Sequence, residues 1–320
     1  MNLFVTILLF ALGVVLVVKG GDFFVDAASW IAEKSGIPKL IVGATIVSVA
    51  TTLPEMLVSV MAAMQGKVDM SIGNAVGSVT VNVGLIMALC LICMPGVIRR
   101  SDYLLKSILM IAAAVLIAVC GFTGAVSLPI CIVLLLVFVV FMWENIREVQ
   151  KNVTAKQQEK EPKEPTSKKI VTVNILKFVF GALGIVLGSQ LLVDNGSTLA
   201  RLVGVPERVI GVTLIAVGTS LPELITTITA IAKKQSALSV GNILGANIMD
   251  LSLIMPLASL ISGKALPVSN ALAYIDLPAC LLVCLVAVVP TLIRSKFSRF
   301  QGVALLTIYA VYLVITCTLV

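Results

Sequence analysis

The sequence predicts an all-α integral membrane protein whose ten transmembrane helices form two inverted repeats of five. Three observations carry that reading. Hydrophobic residues make up 59% of the 320 and charged ones only 12%, a balance that soluble globular domains do not keep. Ten apolar segments of spanning length consume nearly the whole chain and leave no room for a soluble catalytic module. The two halves also repeat each other in register, Glu55 answering Glu223, an offset of 168.

In the first half the apolar runs fall at 2–32, 38–65, 69–96, 103–122 and 126–148; in the second they fall at 172–202, 206–232, 237–262, 270–293 and 299–319. The first run starts without a basic stretch and reaches Lys19 and Asp22 without a cleavage-like site, so it reads as a retained helix. Residues 149–171 hold Lys151, Lys156, Glu159, Lys160, Glu161, Lys163, Glu164, Lys168 and Lys169 with two prolines, too polar to pack a core. The expected organisation is a first repeat at 1–148, a solvated linker at 149–171 and a second repeat at 172–320.

Charge placement orients the chain. Of 23 basic residues, 17 lie in the linker or in loops on its side, against Lys67, Arg201, Arg208 and Lys264 on the other. The positive-inside rule puts the linker in the cytoplasm and both termini outside, in the cell membrane. The net charge of +7 follows from that distribution and calls for no nucleic-acid partner. The absence of histidine excludes Ser-His-Asp triads and His-based zinc sites. Most of the seven cysteines lie inside apolar runs, where they act as small hydrophobes, and Cys90 and Cys93 form one isolated CxxC, read as structural. No cofactor is expected.

The repeat is the most informative feature. Between 36–55 and 204–223, nine of twenty positions are identical, including Thr51 with Thr219, Pro54 with Pro222 and Glu55 with Glu223. Gly73-Asn74 answers Gly241-Asn242, and Asp26 answers Asp194. With five helices per half, an odd number, the second half must cross in the opposite sense. Inverted repeats place their sites near the bilayer midplane on interrupted helices.

Pro54 and Pro222 each lack an N–H and crowd the preceding turn, so a helix break is expected at Thr51 and at Thr219, freeing backbone carbonyls. Glu55 and Glu223 follow, each deep in an apolar helix that carries no mid-membrane base. A charge there costs roughly 2.5–3.5 kcal/mol on insertion scales and marks a functional site by default. The bland alternative is a protonated or locally paired glutamate. On the third helix Asn74, Ser78 and Asn82 form a polar stripe at four-residue spacing, matched on the eighth by Asn242, Ala246 and Asp250. The spacings Gly73 to Gly77 and Gly241 to Gly245 read as close helix packing. Two carboxylates with freed carbonyls offer about six oxygens, the lower end of the calcium range, and no soft donors.

The segments GATIVSVATTLPE with GNAVGSVTVN, and GVTLIAVGTSLPE with GNILGANIMD, resemble the paired alpha repeats of the calcium/cation antiporter superfamily, in particular its prokaryotic sodium/calcium exchanger-like members. The resemblance covers nearly the whole chain. It implies a membrane-embedded site that exchanges sodium for calcium, with long first and sixth helices sliding against the rest. It further implies that Glu55, Glu223 and the Thr51 and Thr219 carbonyls hold calcium, while Ser78, Asn82, Ser220 and Asp250 complete flanking sodium sites, with Thr52 also counted among the metal-site residues. Calcium and sodium are then cargo, the bilayer is the medium, and a monomer suffices. Ala50, Thr52, Val79-Thr80 and Ala246 depart from the family pattern, Ala246 standing where a serine hydroxyl would bind sodium. Proton-coupled or potassium-dependent antiport is the neighbouring alternative. A passive cation channel and an intramembrane hydrolase are the other classes, the latter without an activated nucleophile.

Overall fold

The computed structural model describes residues 3–97, 100–158, 167–204 and 216–319. Its first half contains α1 (Leu3–Ser35), α2 (Lys39–Met64), α3 (Val68–Cys93), α4 (Arg100–Thr123) and α5 (Leu128–Gln158). The second half contains α6 (Lys168–Leu202), α7 (Leu221–Ala232), α8 (Ser236–Ser262), α9 (Leu272–Arg294) and α10 (Arg299–Leu319). Among the described residues nine helices are long and apolar enough to cross a membrane, and α7 is a shorter apolar helix. The start of the seventh apolar run, including Pro206, Arg208, Gly211 and Thr213, lies outside the described residues, as do Arg99 and 159–166 of the expected linker.

Helix ends differ from the sequence reading at the linker. Helix α5 runs ten residues past 148 to Gln158, because Glu, Lys, Gln and Ala sustain a helix and the first proline comes only at Pro162. Helix α6 likewise starts at Lys168, directly after Ser167. Two antiparallel strand pairs were not expected. Gly96–Val97 (β1) pairs with Lys296–Phe297 (β4), and Ala125–Val126 (β2) pairs with Leu266–Pro267 (β3), so loops of the two halves are stitched together at both ends of the bundle.

Burial sorts the helices into centre and periphery. The apolar windows of α8 and α3 are 83% and 72% buried, whereas those of α1 and α6 are 22% and 11%. Helices α1 and α6 instead pack against each other along most of their length. Their seam is made by glycines: a Cβ on Gly181 would stand 2.6 Å from the Phe24 nitrogen, and one on Gly20 would stand 2.8 Å from the Gly181 oxygen. Only backbone-to-backbone approach fits there. The pair is fastened to α7 by Lys233, whose Nζ lies 2.8 Å from Asp26 Oδ1 and 3.2 Å from Asp22 Oδ1.

Candidate ion site

The polar stripe predicted on α3 and α8 meets α2 and α7 at the centre of the molecule. Helix α8 crosses α2 so closely that Gly43, Gly241 and Gly245 have no room for a side chain. The packing reading therefore holds at Gly241 and Gly245. It fails at their counterparts: a Cβ on Gly77 meets nothing within 4 Å, and one on Gly73 meets only Leu272 at 3.9 Å.

The expected helix breaks are realised in one half only. Thr219 and Ser220 form a turn between the single helical turn Ala216–Gly218 and α7, with Pro222 in the first turn of α7. Helix α2 instead runs unbroken through Pro54 from Ser48 to Met64, and its irregular stretch lies upstream, a π-helical turn at Gly43–Val47. A proline is tolerated when neighbours compensate for the lost hydrogen bond. Two further π-turns stand at repeat-equivalent positions and begin on site residues, Asn82–Met87 on α3 and Asp250–Ile254 on α8. Such bulges re-aim side chains and recur at functional sites.

Glu55 and Glu223 are fully buried, as are Asn82, Ser220 and Asp250, while Thr51, Thr52 and Ser78 are nearly so. Thr219 is half-buried in its turn. Glu55, Glu223 and Asp250 lie within electrostatic reach of one another. Glu223 also sits in the first turn of α7, where the helix dipole favours a negative charge. Thr52 Oγ1 lies 3.5 Å from Glu223 Oε1, and Thr51 Oγ1 donates to Asn242 Oδ1 at 3.1 Å, tying the halves together.

The unused valences define the chemistry. Both carboxylate oxygens of Glu55 and Asp250, Glu223 Oε2, the Ser78 and Ser220 hydroxyls and both amide atoms of Asn82 are buried without a hydrogen-bond partner. At roughly 1–3 kcal/mol per unsatisfied group, nine such atoms would cost as much as the whole stability of a domain, about 5–15 kcal/mol. Among the described residues no Lys or Arg forms an ion pair with these carboxylates. Carboxyl groups so placed take a cation or a proton. Eight of the nine atoms are oxygens, which suits hard cations, and the ninth, Asn82 Nδ2, calls for an acceptor. No three of His, Cys, Asp and Glu close into a metal cluster among the described residues, so carboxylates are supplemented here by hydroxyl and amide groups.

The stripe on α3 also supports the site from behind. Asn74 Nδ2 donates to the Glu55 carbonyl at 3.1 Å and to Ser59 Oγ at 2.9 Å. Sequence reasoning marked the Asn74 and Asn242 faces by spacing but did not identify their partners, and it missed Ser59. It also missed Asp276, half-buried at the end of a π-turn on α9 and bonded at 2.7 Å by the Tyr312 hydroxyl; an aspartate inside the apolar run 270–293 was its visible signal.

Comparison with known proteins shows the family of the chain. The family model described as sodium/calcium exchanger protein matches residues 5–146 and 173–318. An uncharacterized membrane protein of Methanocaldococcus jannaschii is 31% identical over 304 residues, covering 94% of this chain and 95% of its own. The sodium/calcium exchanger MaX1 of Methanosarcina acetivorans is 29% identical, with 97% and 98% covered. A solved structure of the sodium-calcium exchanger NCX_Mj soaked with sodium and strontium superposes with a TM-score of 0.79 at 28% identity, with 97% and 98% covered.

Proposed function

We propose, from the premise that this chain belongs to the sodium/calcium exchanger family, that it is a secondary antiporter that moves calcium against sodium by alternating access. Antiport of cations is the work of the family and suits the fold; the pairing of these two ions rests on the site. The observation that carries it is the set of three buried carboxylates with unpartnered oxygens and, among the described residues, no Lys or Arg paired with them. Calcium takes the two glutamates and the Thr51 and Thr219 carbonyls, since a divalent ion needs two negative charges and about six or more oxygens. Sodium takes the flanking oxygens of Thr52, Ser78, Asn82, Ser220 and Asp250. Because the two sets of oxygens adjoin in one buried cluster, calcium and sodium compete for it, and that competition couples the two fluxes.

In this reading the chain forms ten helices in two inverted repeats, 1–148 and 172–320, with 149–171 serving as a tether. The tether faces the cytoplasm and both termini face outward in the cell membrane. A monomer carries the whole site. The test is tracer calcium uptake into liposomes containing the purified protein, driven by an outward sodium gradient. Uptake above the equilibrium level that collapses with the sodium gradient supports antiport. Uptake driven equally by a potassium or proton gradient would reassign the coupling ion, and purely downhill flow would make the protein a channel.

A further inference from the structure

A cavity lies away from the carboxylates, at the end of the bundle where β1 pairs with β4. It has a volume of about 730 Å³ and is bounded by the starts of α2, α8 and α10 and the end of α3. Three cationic residues line it, Lys39, Lys234 and Arg299, beside an apolar wall whose accessible part includes Pro38, Met94 and Pro95. Lys39 has company, Glu33 Oε1 at 2.9 Å and Gln235 Oε1 at 2.7 Å. Among the described residues Lys234 and Arg299 form no ion pair. Lys234 is also held at φ 55°, a left-handed conformation that a lysine rarely adopts. Among the described residues no carboxylate lines the cavity.

We infer that this cavity is a binding site for the phosphate headgroup of an anionic phospholipid. Positive charge without a counter-ion calls for an anion, and helix ends stand at headgroup depth in a bilayer. The apolar wall selects between sources of phosphate. A soluble anion would gain nothing from Pro38, Met94 and Pro95, whereas a lipid brings its glycerol and upper acyl chain to them while its phosphate meets Lys234 and Arg299. The site shares no residue with the carboxylate cluster, so its occupancy is measurable without ion transport.

Cys93 supplies the readout, because it lines the cavity and is exposed, while the other cysteines are buried except Cys317, which is intermediate. The purified Cys317→Ser protein is placed in nanodiscs of phosphatidylcholine alone or of phosphatidylcholine mixed with phosphatidylglycerol, and Cys93 is titrated with an uncharged maleimide. Labelling is expected to slow roughly tenfold or more in the anionic discs, and the Lys234→Gln/Arg299→Gln protein, altered only at exposed side chains, is expected to label at the fast rate in both. Equal rates in the two membranes for the unaltered cavity would overturn the proposal, as would protection that survives in the double variant. Protection by inorganic phosphate in phosphatidylcholine discs would replace the lipid by a small anion and overturn it too.

Discussion

At the scale of single residues, two glutamates and one aspartate are fully buried at the centre of the bundle, and among the described residues no Lys or Arg pairs with them. Glu55→Gln and Glu223→Gln each keep shape and remove a charge, so the folded protein should insert normally and lose calcium exchange, at least a hundredfold if each change removes about 3 kcal/mol of divalent binding. Tracer flux alongside size-exclusion behaviour checks this, and substantial calcium uptake by either variant would remove that glutamate from the site. Ala246 is the fine test, since it is fully buried on α8 opposite in the repeat to Ser78, whose hydroxyl has no partner. Ala246→Ser restores an oxygen donor and should lower the sodium concentration for half-maximal exchange, leaving calcium affinity nearly unchanged; Ser78→Ala should raise it. The carboxylates were legible in the sequence because charge inside an apolar run has few bland explanations. The Thr51–Asn242 link was not, because spacing fixes a face and leaves its partner open.

At the scale of elements, the decisive property is how closely backbones approach. Gly181 on α6 faces Phe24 and Gly20 of α1 with no space for a methyl group, whereas Gly73 on α3 has open surroundings. Gly181→Ala should therefore separate α1 from α6 and destabilise the protein by about 1–3 kcal/mol through overpacking, while Gly73→Ala should be neutral or stabilise by up to about 1 kcal/mol through helix propensity. Thermal unfolding in detergent compares the two, and equal melting temperatures would contradict the close seam. Periodicity located the apolar runs well but misjudged their ends at α5 and α6, because a polar stretch rich in Glu, Lys and Gln remains helical beyond the bilayer. Proline marked the right neighbourhoods, yet a break formed only at Thr219–Ser220. The π-turns at Asn82 and Asp250 have no sequence signature of their own.

At the scale of the whole molecule, an almost symmetric sequence has folded into an asymmetric arrangement. On α8, Gly241, Asn242 and Gly245 are sealed against α2, whereas on α3 their counterparts Gly73, Asn74 and Gly77 are partly exposed. The fastening at Lys233 is likewise one-sided, because position 65 in the first half is Gln65 and offers no charge to Asp194. Sequence symmetry cannot foretell which half is sealed, since an inverted repeat supports two interchanged conformations of similar energy and a small local difference selects one. The sealed half has no room for a reporter, but Gly77 does. Gly77→Cys, with Cys93 and Cys317 changed to serine, should react with a membrane-impermeant thiol reagent added on the side of the α2–α3 loop, where Lys67 lies, and reaction from the linker side should be slower. Calcium, by occupying the neighbouring carboxylates, should slow the reaction on the fast side, and Glu55→Gln in the same background should abolish that protection. Labelling that is equal from both sides and indifferent to calcium would mean that the open face of α3 does not lead to the ions, and the path to the site would have to be sought along α1 and α6 instead.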